Sequence, residues 1–268
     1  MNSYDLIALG AILLIGIPHG GLDGAIARRV GWSTSLPAWV GFHLIYIALA
    51  LTIVVLWQWL PLLCLVLFLT LSAIHFGRSD QAVAHRSNWL PVLAHGGLVP
   101  IAIPFFQSQP THALFALLVG PNHATVLQGA LELLIVPWGL ILLWYAHRTL
   151  DNTDWWRPLS LLIVLIMAAA LLPPLVSFAV YFCLLHSPRH LIHTLNKLSI
   201  KERRRSLIEA MLYSGIAIGA IVGSAIWLQN SPQLAPTLLQ TGLIGIAALT
   251  VPHMLLVDCG SRLTDRFS

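Results

Sequence analysis

Apolar residues in this chain come in long runs, broken by short polar or proline-containing stretches, with no strict apolar/polar alternation inside them. The runs approach the roughly 20 helical residues needed to cross a hydrocarbon core of about 30 Å. The missing two-residue period argues against barrel strands. The pattern predicts helices over 5–27, 37–59, 61–77, 89–106, 125–147, 158–172, 174–195, 206–228 and 235–257. Pro173 and Pro174 separate the sixth from the seventh, because paired prolines cannot continue a helix. The uncharged 107–124 connection, rich in Pro, Gln, Asn and His, predicts a short interfacial helix. No long repeat or soluble segment interrupts the series. The expected fold is all-α: a polytopic transmembrane helical bundle of eight to nine spans, forming one integral membrane domain over residues 1–268.

Composition agrees with this pattern. Charged residues make up 9% of the chain, against about 25% in soluble domains. The first residues, MNSYDLIALG, place an acid and no Lys or Arg ahead of the apolar run, which does not match a cleaved secretory signal. Cys64, Cys183 and Cys259 are scattered and read as buried free thiols. The net charge of +4 is accounted for by topology and carries no nucleic-acid footprint. Arg28 and Arg29 follow the first span, Arg78 and Arg86 the third, and Arg148 and Arg157 flank the loop after the fifth. Lys197, Lys201, Arg203, Arg204 and Arg205 follow the seventh, and Arg262 and Arg266 lie in the tail. With nine spans, an outside N-terminus and a cytoplasmic C-terminus, all of these face the cytoplasm. The opposite connections contain no Lys or Arg.

That topology brings the histidines into view, and there are twelve of them. The spans that run toward the cytoplasm end in GIPHGGLDG with His19, SAIHFGRSD with His75, CLLHSPRHLIH with His186 and His190, and TVPHMLLVD with His253. These side chains fall at broadly similar depth in the inner half of the bilayer. Ionisable groups in spans usually face the bundle interior and mark function. His186 and His190, four residues apart, project from one helix face, as paired metal ligands do. Pro188 between them tends to kink the helix, so ideal geometry does not fix the angle between the two rings.

Asp23 and Asp80 are candidates to accept a hydrogen bond from a ligand histidine's second nitrogen. Pairing with a nearby arginine, Arg78 or Arg262, is the alternative for Asp80 and Asp258. His253 fits a supporting or substrate-facing role as well as ligation. Gly20, Gly21 and Gly24 permit close helix packing. His43, His95 and His147 are expected hydrogen-bond partners and His193 an interfacial residue, while His85, His112 and His123 sit in expected loops. Phe76, Phe178, Tyr181 and Phe182 adjoin the histidine motifs and are candidates to line a site for a hydrophobic substrate. Imidazole donors suit Zn, Cu, Fe and Ni alike, so ligand type alone does not choose the ion.

The ordered set PHGGLD, HFGRSD and HSPRH on a multi-spanning chain resembles the Brp/Blh family of bacterial and archaeal β-carotene 15,15'-dioxygenases. The resemblance covers essentially the whole chain. It implies a non-haem Fe(II) centre with His19, His75, His186 and His190 as ligands and catalytic residues. It also implies cleavage of the central double bond of β-carotene by O₂ into two retinal molecules, in the inner (plasma) membrane, with a functional link to a retinal-binding rhodopsin. Three other readings stay open. A membrane di-iron desaturase or hydroxylase would share the HxxxH box, but no HxxHH occurs here. A b-haem carrier would use histidines from two helices, and a metal or proton transporter would use the proline-broken helices.

Overall fold

A computed structural model describes residues 3–32, 35–80, 88–150, 153–228 and 234–264. His85, Arg86 and Arg266 lie outside the described residues, and Cys259 and Arg262 outside the described side chains. The described residues form ten helices: α1 Ser3–Arg29, α2 Leu36–Trp59, α3 Pro61–Ser79, α4 Trp89–Phe106, α5 Ser108–Val119, α6 Pro121–Thr149, α7 Trp156–Leu171, α8 Pro174–Asn196, α9 Ile200–Leu228 and α10 Leu234–Thr264. No strand occurs among the described residues. All but α5 and α7 are long and apolar enough to cross a membrane, which gives eight candidate spans among the described residues.

The exposed face of α2 identifies its solvent. Leu36, Val40, Leu44, Ile47, Leu51 and Val55 recur every three or four residues and are all exposed. A stripe of that kind belongs against lipid, because water would make it an aggregation surface. The protein is therefore a multi-pass helical membrane protein.

The sixth expected span, 158–172, is the 16-residue α7, about 24 Å of helix. Its end is dictated by sequence: Leu172 is pushed to an extended φ of −106° and ψ of 150° as the residue before Pro173. The 107–124 connection holds a helix, α5, and α6 begins at Pro121, just after Gly120 at φ 83°. Helix starts follow local chemistry. Ser35 Oγ accepts from Ala38 N, and Asn88 Oδ1 accepts from Leu90 N. Ser199 and Glu202 form a reciprocal capping box at the start of α9.

Among the described residues, three helices contain a π turn followed at once by a proline near the start of the next α segment. These are Ile12–Gly16 before Pro18, Leu98–Ala102 before Pro104, and Phe182–His186 before Pro188. Proline lacks an N–H and its ring crowds the carbonyl four residues back. The wider π turn absorbs the mismatch and keeps the helix running.

Two compact units emerge from the packing, residues 1–60 with 182–268 and residues 61–181. In the first, α10 packs on α1, α2 and α9, and α9 on α1. Arg28 ties the end of α1 to α9, donating to Glu209 Oε2 at 2.7 Å and Ser206 Oγ at 3.0 Å. In the second, α3 and α4 approach so closely that a Cβ on Gly77 would strike the carbonyl of Val92, and one on Gly96 that of Ala73. Trp138 of α6 donates its indole N–H to the Ala94 carbonyl of α4 at 3.0 Å.

Candidate metal centre

The first unit gathers His19 from α1, His186 and His190 from α8, and His253 from α10. The His19 ring centroid lies 5.5 Å from that of His186, 5.4 Å from His190 and 5.0 Å from His253. His190 and His253 are 5.4 Å apart, and His186 and His190 6.5 Å. His19, His186 and His253 are buried and His190 is half-buried. An imidazole bound through nitrogen at about 2.1 Å puts its centroid about 3.2 Å from the ion, so two such rings lie about 4.5 Å apart at right angles and about 6.4 Å when opposed. The observed spacings fall at or near that range. As the side chains stand, no group of three or more His, Cys, Asp or Glu among the described residues could hold a metal ion. The fit to an ion rests on donor chemistry and spacing.

Proline and the π turns place these rings. His19 follows Pro18, His186 ends the π turn of α8, and His190 lies in the α segment that Pro188 opens. The π turn before Pro188 carries the offset that the sequence pattern assigned to a kink. Side chains from α8 meet the loosened carbonyls of α1: Cys183 Sγ donates to Ala11 O at 3.4 Å and Ser187 Oγ to Ile15 O at 3.1 Å. Cys64 and Cys183 are both buried free thiols, as expected. Phe182 stacks on His186 with centroids 5.6 Å apart at 12°, and meets His19 edge-on at 5.2 Å.

Hydrogen bonds fix which nitrogen carries the lone pair. His19 Nδ1–H donates to the Gly16 carbonyl, and His253 Nδ1–H donates to Asp23 Oδ1 at 2.8 Å. In a neutral imidazole the acceptor site is then Nε2. The acceptor for His253 is thus Asp23, from the other end of the chain. Its other oxygen accepts from Tyr46 OH at 2.8 Å. Tyr46 is a site neighbour that motif reading missed. A signal existed: Trp39, Phe42, His43 and Tyr46 follow the i, i+3, i+4, i+7 spacing of one helix face.

The second unit holds His75, Phe76, Asp80, Phe178 and Tyr181. His75 is 1% exposed, with its ring 5.8 Å from Phe76. Phe76 lies 5.4 Å from Tyr181 and 6.3 Å from Phe178. Tyr181 OH donates to Asp80 Oδ2 at 2.8 Å. Arg78, the alternative partner for Asp80, lies over the Trp89 ring at 5.1 Å. Ala73 and Ile74, just before His75, line an apolar cleft of about 200 Å³ with Gly96, Gly97 and Trp138.

The remaining histidines divide as follows. His43 is a hydrogen-bond partner, donating from Nδ1 to Trp39 O at 2.9 Å and facing Tyr213 OH through Nε2 at 3.0 Å. His95 is buried against Tyr145, while His147 and His193 are exposed. His112 and His123 lie on helices α5 and α6, contrary to the expected loops; the turn between these helices is confined to Gly120.

Taken together, these features define a class: a polytopic membrane protein with a histidine-rich centre whose rings are oriented by a carboxylate and a backbone carbonyl. Residues 10–259 match the family model described as Beta-carotene 15,15'-dioxygenase. The Beta-carotene 15,15'-dioxygenase of uncultured marine bacterium 66A03 is 34% identical over 258 residues, covering 95% of this chain and 93% of that protein. The chain belongs to the β-carotene 15,15'-dioxygenase family. No solved structure matches it.

Proposed function

We propose that this protein cleaves the central 15,15' double bond of β-carotene with O₂, giving two molecules of retinal. The carrying observation is the relationship to the 66A03 enzyme over nearly the whole of both chains. The reaction balances without a reductant: one C=C bond is lost, two C=O bonds form, and both oxygens come from O₂. Iron(II) held by histidine imidazoles would supply the activation of O₂. Following the family resemblance, its holders are His19, His75, His186 and His190. The ring spacing in the first unit supports His19, His186 and His190 and adds His253 beside them.

The chain's own residues have definable tasks in this reading. Gly16 and Asp23 hold His19 and His253 in the tautomer that leaves Nε2 as donor. Phe182 walls the His186 and His19 rings with hydrocarbon and keeps water from them. Phe76, Phe178 and Tyr181 offer aromatic surface to a polyene, and the cleft beside Ala73 and Ile74 has room for part of a hydrocarbon chain. Asp80, bonded to Tyr181, holds that phenol in place. A lipid-soluble substrate would arrive through the bilayer of the inner membrane, and the product suits a retinal-binding rhodopsin.

Expression in a β-carotene-producing bacterium tests the activity directly. The orange colour should fade and retinal should accumulate, with ¹⁸O from ¹⁸O₂ in both aldehyde groups. Absence of retinal overturns the reading. His19→Ala and His190→Ala should each abolish conversion and lower bound iron. Full activity and full iron in both variants would refute the ligand assignment.

A further inference from the structure

Tyr46 stands on α2, a helix that turns most of its surface to lipid. Its hydroxyl donates to Asp23 Oδ2 at 2.8 Å, and the Leu249 carbonyl of α10 lies 3.2 Å from that hydroxyl as a second acceptor. The second oxygen of Asp23 accepts the Nδ1–H of His253 at 2.8 Å. Asp23 is 4% exposed and His253 3%. A carboxylate placed within a membrane bundle is costly unless it is hydrogen-bonded. This one receives donors on both oxygens, from two helices other than its own.

The double engagement has a consequence beyond satisfaction of the charge. With one oxygen held only by His253, the carboxylate would remain able to swing about its last side-chain torsion, which is broad for Asp. The Tyr46 hydroxyl pins the other oxygen and so fixes the carboxylate plane. That plane sets the direction of the Nδ1–H bond, and the imidazole is planar, so it also sets the direction of Nε2. The His253 ring lies 5.0 Å from His19 and 5.4 Å from His190. Gly16 does for His19 what Asp23 does for His253, so two rings of the cluster are aimed through Nδ1.

We propose that Tyr46 is a positioning residue of the metal centre. Acting through Asp23, it fixes the tautomer and direction of His253 and presents Nε2 of that ring as a further donor to the ion held by His19 and His190. The assignment rests on the iron reading above.

Tyr46→Phe removes one oxygen and keeps the ring, and Asp23→Asn provides a second probe if that variant folds poorly. Wild type, both single variants, His253→Ala and the Tyr46→Phe/His253→Ala double variant are purified in detergent. Each is titrated with Fe(II), and separately with Co(II), whose visible absorption bands report the ligand set. Asp23→Asn should weaken Fe(II) binding by roughly 10–100-fold and Tyr46→Phe by roughly three- to tenfold, as losses of orienting partners do. Both should shift the Co(II) bands. In the His253→Ala background Tyr46→Phe should add nothing, because residues acting through one group are not additive. Tyr213→Phe, which removes the phenol oxygen facing His43, is the control and should leave affinity and bands at wild-type values.

Wild-type affinity and bands in Tyr46→Phe would overturn the proposal while leaving the iron reading intact. A loss that adds in full to that of His253→Ala would overturn it too, making Tyr46 a structural pin between helices. Wild-type protein that takes up neither ion would overturn the iron reading and this proposal together.

Discussion

Phe182 owes its position to a missing methyl group. A Cβ on Gly16 would come within 2.2 Å of Phe182 Cε1, an edge of the same ring that stacks on His186 and meets His19 edge-on. Gly16→Ala should therefore displace a side chain rather than backbone. The expected outcome is a folded protein with a melting temperature close to wild type and a loss of retinal formation of tenfold or more. Gly77→Ala belongs to the other kind, because its Cβ would meet the rigid carbonyl of Val92. That overpacking should cost about 1–3 kcal/mol and lower the melting temperature measurably. Sequence inspection singled out Gly20, Gly21 and Gly24 for close packing, and the three differ. A Cβ on Gly21 would come within 2.7 Å of the Ala210 backbone, one on Gly24 within 3.3 Å of Trp39, whereas Gly20 has only His253 Nδ1 at 3.9 Å. Which glycine is indispensable depends on the neighbouring helix, and residue type does not reveal it.

At the level of the element, the recurring device is the π turn followed by proline. Pro18, Pro104 and Pro188 are plain in the sequence, and each announces a broken hydrogen-bond ladder. The sequence pattern expects a kink at Pro188, and the chain places a π turn, with its extra residue, just before that proline. One inserted residue rotates everything beyond it by about 100°. His186, at the end of the π turn, and His190 beyond it depend on that rotation for their mutual placement. Pro188→Ala restores an N–H and lets the turn relax toward regular α-helix. The expected result is retained folding with bound iron and retinal yield both well below wild type, read by metal analysis and chromatography. Unchanged values for both would show that the rings do not depend on the π turn.

For the whole molecule, the question is which way the chain crosses the bilayer. Eight long helices would return both ends to one side, and crossing by the 16-residue α7 as well would put them on opposite sides. The arrangement of Arg and Lys favours opposite sides, with the C-terminus in the cytoplasm. A green fluorescent protein fused to the C-terminus should fluoresce, and alkaline phosphatase at the same place should be inactive. An active phosphatase fusion would reverse the assignment. Much of this level is legible without coordinates, because lipid selects for apolar runs of fixed length and leaves that length in the sequence. The exposed stripe of α2 is the same selection seen from outside.

The sequence by itself determined the all-helical class, the candidate spans to within a few residues, the histidine motifs and the kinship those motifs carry. Each is a property of neighbours along the chain, where hydrophobic run length and short spacing are enough. Only the tertiary structure decided who partners whom. His253 and Asp23 are 230 positions apart, and nothing local says that this carboxylate serves that ring. Tyr46 lies on a mostly apolar helix whose Trp39, Phe42, His43 and Tyr46 face marks it only as a candidate, and its partner appears once α1, α2 and α10 are packed together. Hydrogen bonds between distant helices depend on how each is rotated about its own axis. That rotation is set jointly by packing, by a glycine's missing side chain and by an inserted π-turn residue, none of which a linear pattern records.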